Sequence, residues 1–121
     1  MNHNEFSYMT SAKTMYSAMS ILSEYGGSMH VKDLMNMVEE TVEFTDWEKL
    51  IIDDKGTVRW RTCMSFTSVD YVKAGFIIKN KGIWTVTPQG VESLKLGIEG
   101  SRDKAHELYL DWKARKRKLK R

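Results

Sequence analysis

A mostly helical α+β domain carrying a short β-hairpin is the fold class that this 121-residue sequence predicts, and three observations carry it. Apolar residues recur at helical spacing through most of the chain, whereas residues 76–86 hold two β-rich runs around an Asn-Lys-Gly turn. A single proline and a single cysteine leave the core to burial alone. At this length about two thirds of the unfolded chain's surface can be buried, which is enough without disulfides or a structural metal.

The first helix is predicted over residues 11–25, where Met15, Met19 and Leu22 fall at i, i+4 and i+7 beside Ala12, Ala18 and Ile21. Methionines at this spacing read as adaptable core filler. Residues 1–10 are expected to be a flexible start, and Gly26-Gly27 ends the helix. Ser28-Met29-His30 suits one short strand, and a second helix over residues 31–42 turns Val31, Leu34, Met35 and Val38 inward. Glu39, Glu40 and Glu43 gather at its end, where they would repel a phosphate backbone and should face away from one.

Thr45-Asp46-Trp47-Glu48 has the form of a capping box and opens a short third helix over residues 47–52. The polar turn Asp53-Asp54-Lys55-Gly56 leads into a long helix over residues 58–74, free of glycine and proline. Phe76-Ile77-Ile78 and Ile83-Trp84-Thr85-Val86 then form a hairpin through Lys79-Asn80-Lys81-Gly82. Thr87-Pro88 caps and starts another helix, with Val91, Leu94 and Leu96 as its apolar side. Residues 97–101 read as a break before a last helix from Arg102 to about Lys118. The domain proper is therefore residues 11–97, followed by a basic helix or linker over 98–121.

Charge is unevenly placed. Residues 1–100 carry 10 Lys/Arg against 13 Asp/Glu, net −3, and residues 101–121 carry 9 against 3, net +6. The run from Lys113 to Arg121 would attract polyanions through counterion release, or serve as a solvated tail or linker.

No catalytic chemistry assembles. His3, His30 and His106 are scattered, and Cys63 lacks any local signature of a nucleophile or zinc ligand set. Ile51-Ile52-Asp53-Asp54-Lys55 is half of a metal-dependent nuclease motif without the second carboxylate-bearing strand. No cofactor is expected. With no apolar stretch near the roughly 20 residues of a membrane span, no signal-peptide start and no disulfide pair, the chain is expected to be soluble and cytoplasmic.

The element order describes a winged helix-turn-helix with a two-stranded wing and an added C-terminal helix. The sequence also resembles the N-terminal winged-helix domain of the Mrr-type restriction endonucleases over residues 11–97. The resemblance rests on Lys73-Ala74-Gly75-Phe76-Ile77, on Lys79-Asn80-Lys81-Gly82-Ile83-Trp84-Thr85-Val86-Thr87-Pro88-Gln89-Gly90, and on the Thr45 to Glu48 cap. At the recognition helix this chain has Thr62-Cys63 and Phe66-Thr67 where the family tends to Asn-Arg and Trp-Ala, so base preference does not carry over. The resemblance implies a module that brings a nuclease to double-stranded DNA, often methylated DNA, with the nuclease domain C-terminal to it and outside these 121 residues.

A helical wheel of residues 58–74 puts Trp60, Met64, Thr67, Tyr71 and Ala74 on the core face, with Cys63 at its edge. The opposite face shows Thr62, Ser65, Phe66, Val69 and Lys73, flanked by Arg61, with Arg59 at the helix entrance. Arginine and hydroxyl groups can hold phosphates or read base edges, and Phe66 and Val69 can contact the methyl of thymine or of a modified base. Those two apolar residues alternatively pack against the last helix or a dimer partner. Lys79 and Lys81, which flank Asn80 of the DNA-facing set at the wing tip, are expected either to contact phosphates or merely to keep the tip soluble. Two further readings stay open: a protein-interaction or dimerisation module, and a stand-alone transcriptional regulator whose last helix, through Leu108 and Trp112, forms a homodimer seam.

Overall fold

A computed structural model describes residues 3–119. Met1 and Asn2 of the expected flexible start, and Lys120 and Arg121 of the basic run, lie outside the described residues. The elements are α1 (His3–Glu24), β1 (Ser28–His30), α2 (Val31–Thr41), α3 (Asp46–Lys49), α4 (Arg59–Lys73), β2 (Ile77–Asn80), β3 (Ile83–Val86), α5 (Pro88–Ser93), a 3-10 turn (Leu94–Leu96) and α6 (Gly97–Leu119). The mostly helical α+β class and the winged arrangement are as expected.

The core is the inner face of α1, where Met15, Met19 and Leu22 are fully buried, against Leu34 and Val38 of α2 and Trp60, Met64 and Tyr71 of α4. Phe76, Ile77, Trp84 and Val86 of the hairpin close it on one side and Ala105 of α6 on another. The methionine stripe and Trp84 are thus core. Phe44 stacks on Trp60 at 4.5 Å between ring centres, and Tyr71 meets Phe76 edge-on at 6.2 Å.

α1 begins at His3 instead of near residue 11, so residues 3–10 are helical and not a flexible start. They pack through contacts that an apolar periodicity does not register. Phe6 stacks on Trp47 at 5.1 Å, and the Tyr8 hydroxyl donates to Asp103. The buried Thr10 hydroxyl donates to Glu48 Oε2 at 2.5 Å. Lys13 Nζ reaches the other carboxylate oxygen at 2.6 Å, while Glu48 also completes the capping box by accepting from the Thr45 N–H at 2.8 Å. One carboxylate therefore ties α1 to the start of α3. Burial alone would push the Glu48 carboxyl up, but the hydrogen bonds from Lys13, Thr10 and Thr45 outweigh it and hold the group below its ordinary range.

The wing is larger than two strands. β3 is the centre of a three-stranded antiparallel sheet, order β1-β3-β2, in which Met29 faces Trp84 on one side and Lys79 faces Trp84 on the other. β1 fills the edge of β3 that a two-stranded wing would leave open, and Ser28 and Thr85 share a hydroxyl hydrogen bond at 2.6 Å. The hairpin turn narrows to Lys81-Gly82, both at positive φ (51° and 84°), as a two-residue turn of right-handed-twist geometry requires.

Two other boundaries move. α3 stops at Lys49, because Leu50 to Ile52 turn extended: the Ile52 N–H donates to the Thr57 carbonyl, the Arg59 N–H to the Leu50 carbonyl, and Ile51 bridges Val58. Asp53 closes this loop by accepting from the Lys55 and Thr57 N–H groups at 3.0 Å each, which is turn chemistry. No His/Cys/Asp/Glu cluster able to hold a metal is present among the described residues. At the other end, residues 97–101 do not break the chain. Gly97 turns at φ 81°, and α6 then runs straight through Gly100, where a Cβ would come within 2.8 Å of Leu96 Cβ, and through buried Ser101, hydrogen-bonded to Ser93. Gly100 is thus a close-packing glycine. Val91 and Leu96, expected inside, are exposed at 38% and 54%; Gly90, Ser93 and Leu94 form the inner side of this segment.

Two outcomes test this packing. A Cβ at Gly90 would meet the Phe76 carbonyl at 2.5 Å and Val86 Cγ2 at 2.9 Å. Gly90→Ala is expected to destabilise by about 2 kcal/mol in urea unfolding, because overpacking exceeds the ~1 kcal/mol helix gain of alanine; a stabilised variant would refute the close approach. Glu48→Gln keeps the capping box and removes the charge, with an expected loss of about 2 kcal/mol at pH 7. Because the folded carboxyl titrates low, that difference is present above the unfolded value near 4.3 and closes as pH falls through the folded value. A gap independent of pH between 7 and 3 would contradict the assignment.

Candidate nucleic-acid interface

α4 carries two faces because its sequence alternates large apolar and short polar residues over 15 positions. Trp60, Met64 and Tyr71 are buried as the wheel predicts, Thr67 and Ala74 are half-buried, and Ser68 is fully buried. Outward, Thr62, Ser65, Phe66, Val69 and Lys73 form one exposed strip. Phe66 is 83% exposed, so it does not pack into the last helix, and Val69 is 47% exposed.

The cations around this strip are held. Arg61 Nη2 donates to Glu39 Oε2 at 2.8 Å and to Asn36 Oδ1 at 3.2 Å, and its guanidinium lies 5.0 Å from the Trp60 ring centre. Glu39 therefore faces α4. Arg59 stacks on Trp47 at 4.4 Å, at a helix start with no side-chain cap and no acid in its first turn. Lys73 stacks on Trp112 at 4.6 Å. Lys79 folds back from the wing, placing Nζ 2.5 Å from Ser68 Oγ and 4.5 Å from the Trp84 ring centre, and burial pulls its ammonium below the ordinary lysine range. Asn80 and Lys81 are exposed at the tip.

α6 lies alongside. Arg102 faces Asp70 of α4 at 3.5 Å, His106 Nδ1 sits 3.4 Å from the same carboxylate, and the Arg102 guanidinium approaches the Tyr8 ring at 5.7 Å. Burial first, then the hydrogen bond to Asp103, pushes the Tyr8 hydroxyl up to about 12. A groove of about 850 Å³ opens between the two helices, lined by Thr62, Ser65, Phe66, Val69, His106 and Tyr109 among others. His106, Tyr109 and Trp112 stack in succession down α6 at 6.3 and 6.0 Å, and Lys116 lies over the far side of that ladder, 5.0 Å from Trp112. Residues 113–119 are exposed.

The structure thus brings Thr62, Ser65, Phe66, Val69 and Lys73 together, leaves Asn80 and Lys81 at the wing tip, and engages Arg59, Arg61 and Lys79 within the fold. Sequence reasoning missed Ser68, Asp70, Arg102 and Tyr109. Asp70 and Arg102 are opposite charges at the predicted rim of α4 and the start of the last helix, and that pairing was the available signal. Trp112 and Leu108, read as a dimer seam, are used internally: Leu108 packs on the core and Trp112 holds Lys73. Burial pushes the Cys63 thiol up despite the nearby Arg59, as suits a structural cysteine. His30 caps α2, its ring accepting from the Lys32 N–H at 3.1 Å.

Three packed helices, the last turning an exposed strip outward and running into an antiparallel wing, define the winged helix-turn-helix class. Residues 12–96 match the family described as the Mrr N-terminal domain, and the chain belongs to that family, the N-terminal domain of Mrr-type restriction systems and not their nuclease domain. No curated protein and no solved structure matches the chain. Among the described residues no helix is long and apolar enough to cross a membrane.

Proposed function

We propose that this chain is a non-catalytic winged-helix domain that binds double-stranded DNA, methylated or otherwise modified DNA included, and targets a restriction endonuclease to it. The observation that carries this reading is the exposed strip of α4. A helix fits the major groove, and hydroxyl groups at Thr62 and Ser65 beside a phenyl ring at Phe66 suit base edges that differ by a methyl group. Asn80 and Lys81 at the wing tip would lie along the backbone. The partner is a nuclease domain C-terminal to the module, acting in the cytoplasm. No cofactor enters this role.

Arg61 fits it only in exchange. Its pair with Glu39 is between side chains 31% and 57% exposed, and such surface pairs are worth about 0–1 kcal/mol, so a phosphate can displace the carboxylate. A protein-interaction role is the second reading, favoured by the internally engaged cations and by Leu50, Ile51 and Ile52, exposed at 48%, 57% and 43% beside the start of α4.

Anisotropy titration of short duplexes, with and without methylated bases, separates the two. Binding at about 50 mM salt that weakens steeply as salt rises is expected, and its absence at that salt overturns the DNA reading. Glu39→Gln should strengthen binding about threefold to tenfold by freeing Arg61, while Arg61→Ala should weaken it and lower the salt slope by about 1. Phe66→Ala is expected to reduce discrimination between the duplexes more than total affinity. Equal affinities for wild type, Glu39→Gln and Arg61→Ala would remove Arg61 from the interface.

A further inference from the structure

We propose that the C-terminal end of α6 is a second phosphate-binding element, and that it supplies most of the affinity for DNA while α4 supplies the selectivity. The proposal rests on the DNA-binding reading above and assigns its electrostatics to a different part of the chain.

Residues 1–100 are net negative, and the cations that surround the α4 strip are already engaged: Arg61 with Glu39, Arg59 with Trp47, Lys79 with Ser68 and Trp84. No Asp or Glu follows Asp111 in the sequence, and Lys113, Arg115, Lys116, Arg117 and Lys118, of which Lys116 lies over Trp112, place five cations in six exposed helical residues. Lys113 with Lys116 and Arg117, and Arg115 with Lys118, are like charges at i, i+3 or i, i+4, a spacing that destabilises a helix until an anion lies against it. Cations at a helix C-terminus offset only part of this repulsion through the macrodipole.

Position and pattern both select the partner. Lys73 of α4 and Lys116 of α6 lie over the same Trp112 ring, at 4.6 and 5.0 Å, so the basic end starts where the α4 strip finishes. A duplex lying on α4 therefore passes beside it. At 100° per residue the five cations point around the helix in all directions, leaving no apolar stripe for a protein groove or a membrane surface. A polyphosphate backbone needs no such stripe.

The test replaces Lys113, Arg115, Lys116, Arg117 and Lys118 with glutamine, which has similar helix propensity, and confirms the fold by circular dichroism. At about 0.9 per phosphate, and with about three of the five cations able to face one duplex at once, the salt slope should become shallower by about 3 and binding about 100-fold weaker near 0.1 M salt. Preference between methylated and unmethylated duplexes should persist. As the complement, Thr62→Ala with Phe66→Ala should alter that preference and leave the slope unchanged. An unaltered slope in the five-glutamine variant overturns the proposal while DNA binding stands. A wild-type chain that binds no duplex at low salt overturns the DNA reading itself, and this assignment with it.

Discussion

The packing of α1 against α4 is the constraint on which the rest of this structure depends. Met15, Met19 and Leu22 on one helix and Trp60, Met64 and Tyr71 on the other are almost wholly removed from water. Each such side chain contributes about 1.5–3 kcal/mol on burial. Their spacing fixes the rotation of α4 about its axis, and that rotation alone puts Thr62, Ser65, Phe66 and Val69 outside. Turning α4 by one residue would bury Phe66's neighbours and expose Trp60. The candidate interface is thus a consequence of the core, and hydroxyl contacts such as Ser11 with Thr67 at 2.6 Å hold the register at its edge.

Folding also engages most of the module's positive charge near α4. Arg59, Arg61, Lys73 and Lys79 each end on an aromatic ring, a carboxylate or a hydroxyl. Lysine and arginine stems cover apolar surface while the head stays near water, so these residues seal the core's rim. Exposure then sets the two helices apart: α4 shows a polar and apolar strip with few free charges, and the end of α6 carries the charges. Asp70, with Arg102 and His106 beside it, docks the one against the other.

Much of this was legible in the sequence. A long element such as α4 came out at nearly its observed bounds, and elements with explicit punctuation, such as the Thr45 capping box and the Thr87-Pro88 start, came out at their observed starts. What stayed hidden was held by contacts without an apolar signature. The first two turns of α1 dock through Thr10, Tyr8 and Phe6, partners that lie 38 or more residues away. Gly100 reads as a breaker but serves close packing, and Leu50 to Ile52 leave the helix for a bridge that only Val58 could reveal. For the site, the wheel chose the correct outward residues, whereas the internal partners of Arg61 and Lys79 required the fold.

The central claim is that one duplex meets α4 and the basic end of α6 together. Amide chemical-shift mapping of the isotopically labelled chain during titration with a short methylated duplex tests it most directly. The account predicts perturbations concentrated at residues 62–69, at Asn80-Lys81 and at residues 113–118. Perturbations confined to the loop at residues 50–52, or absent from either α4 or the end of α6 at saturating duplex, would contradict it.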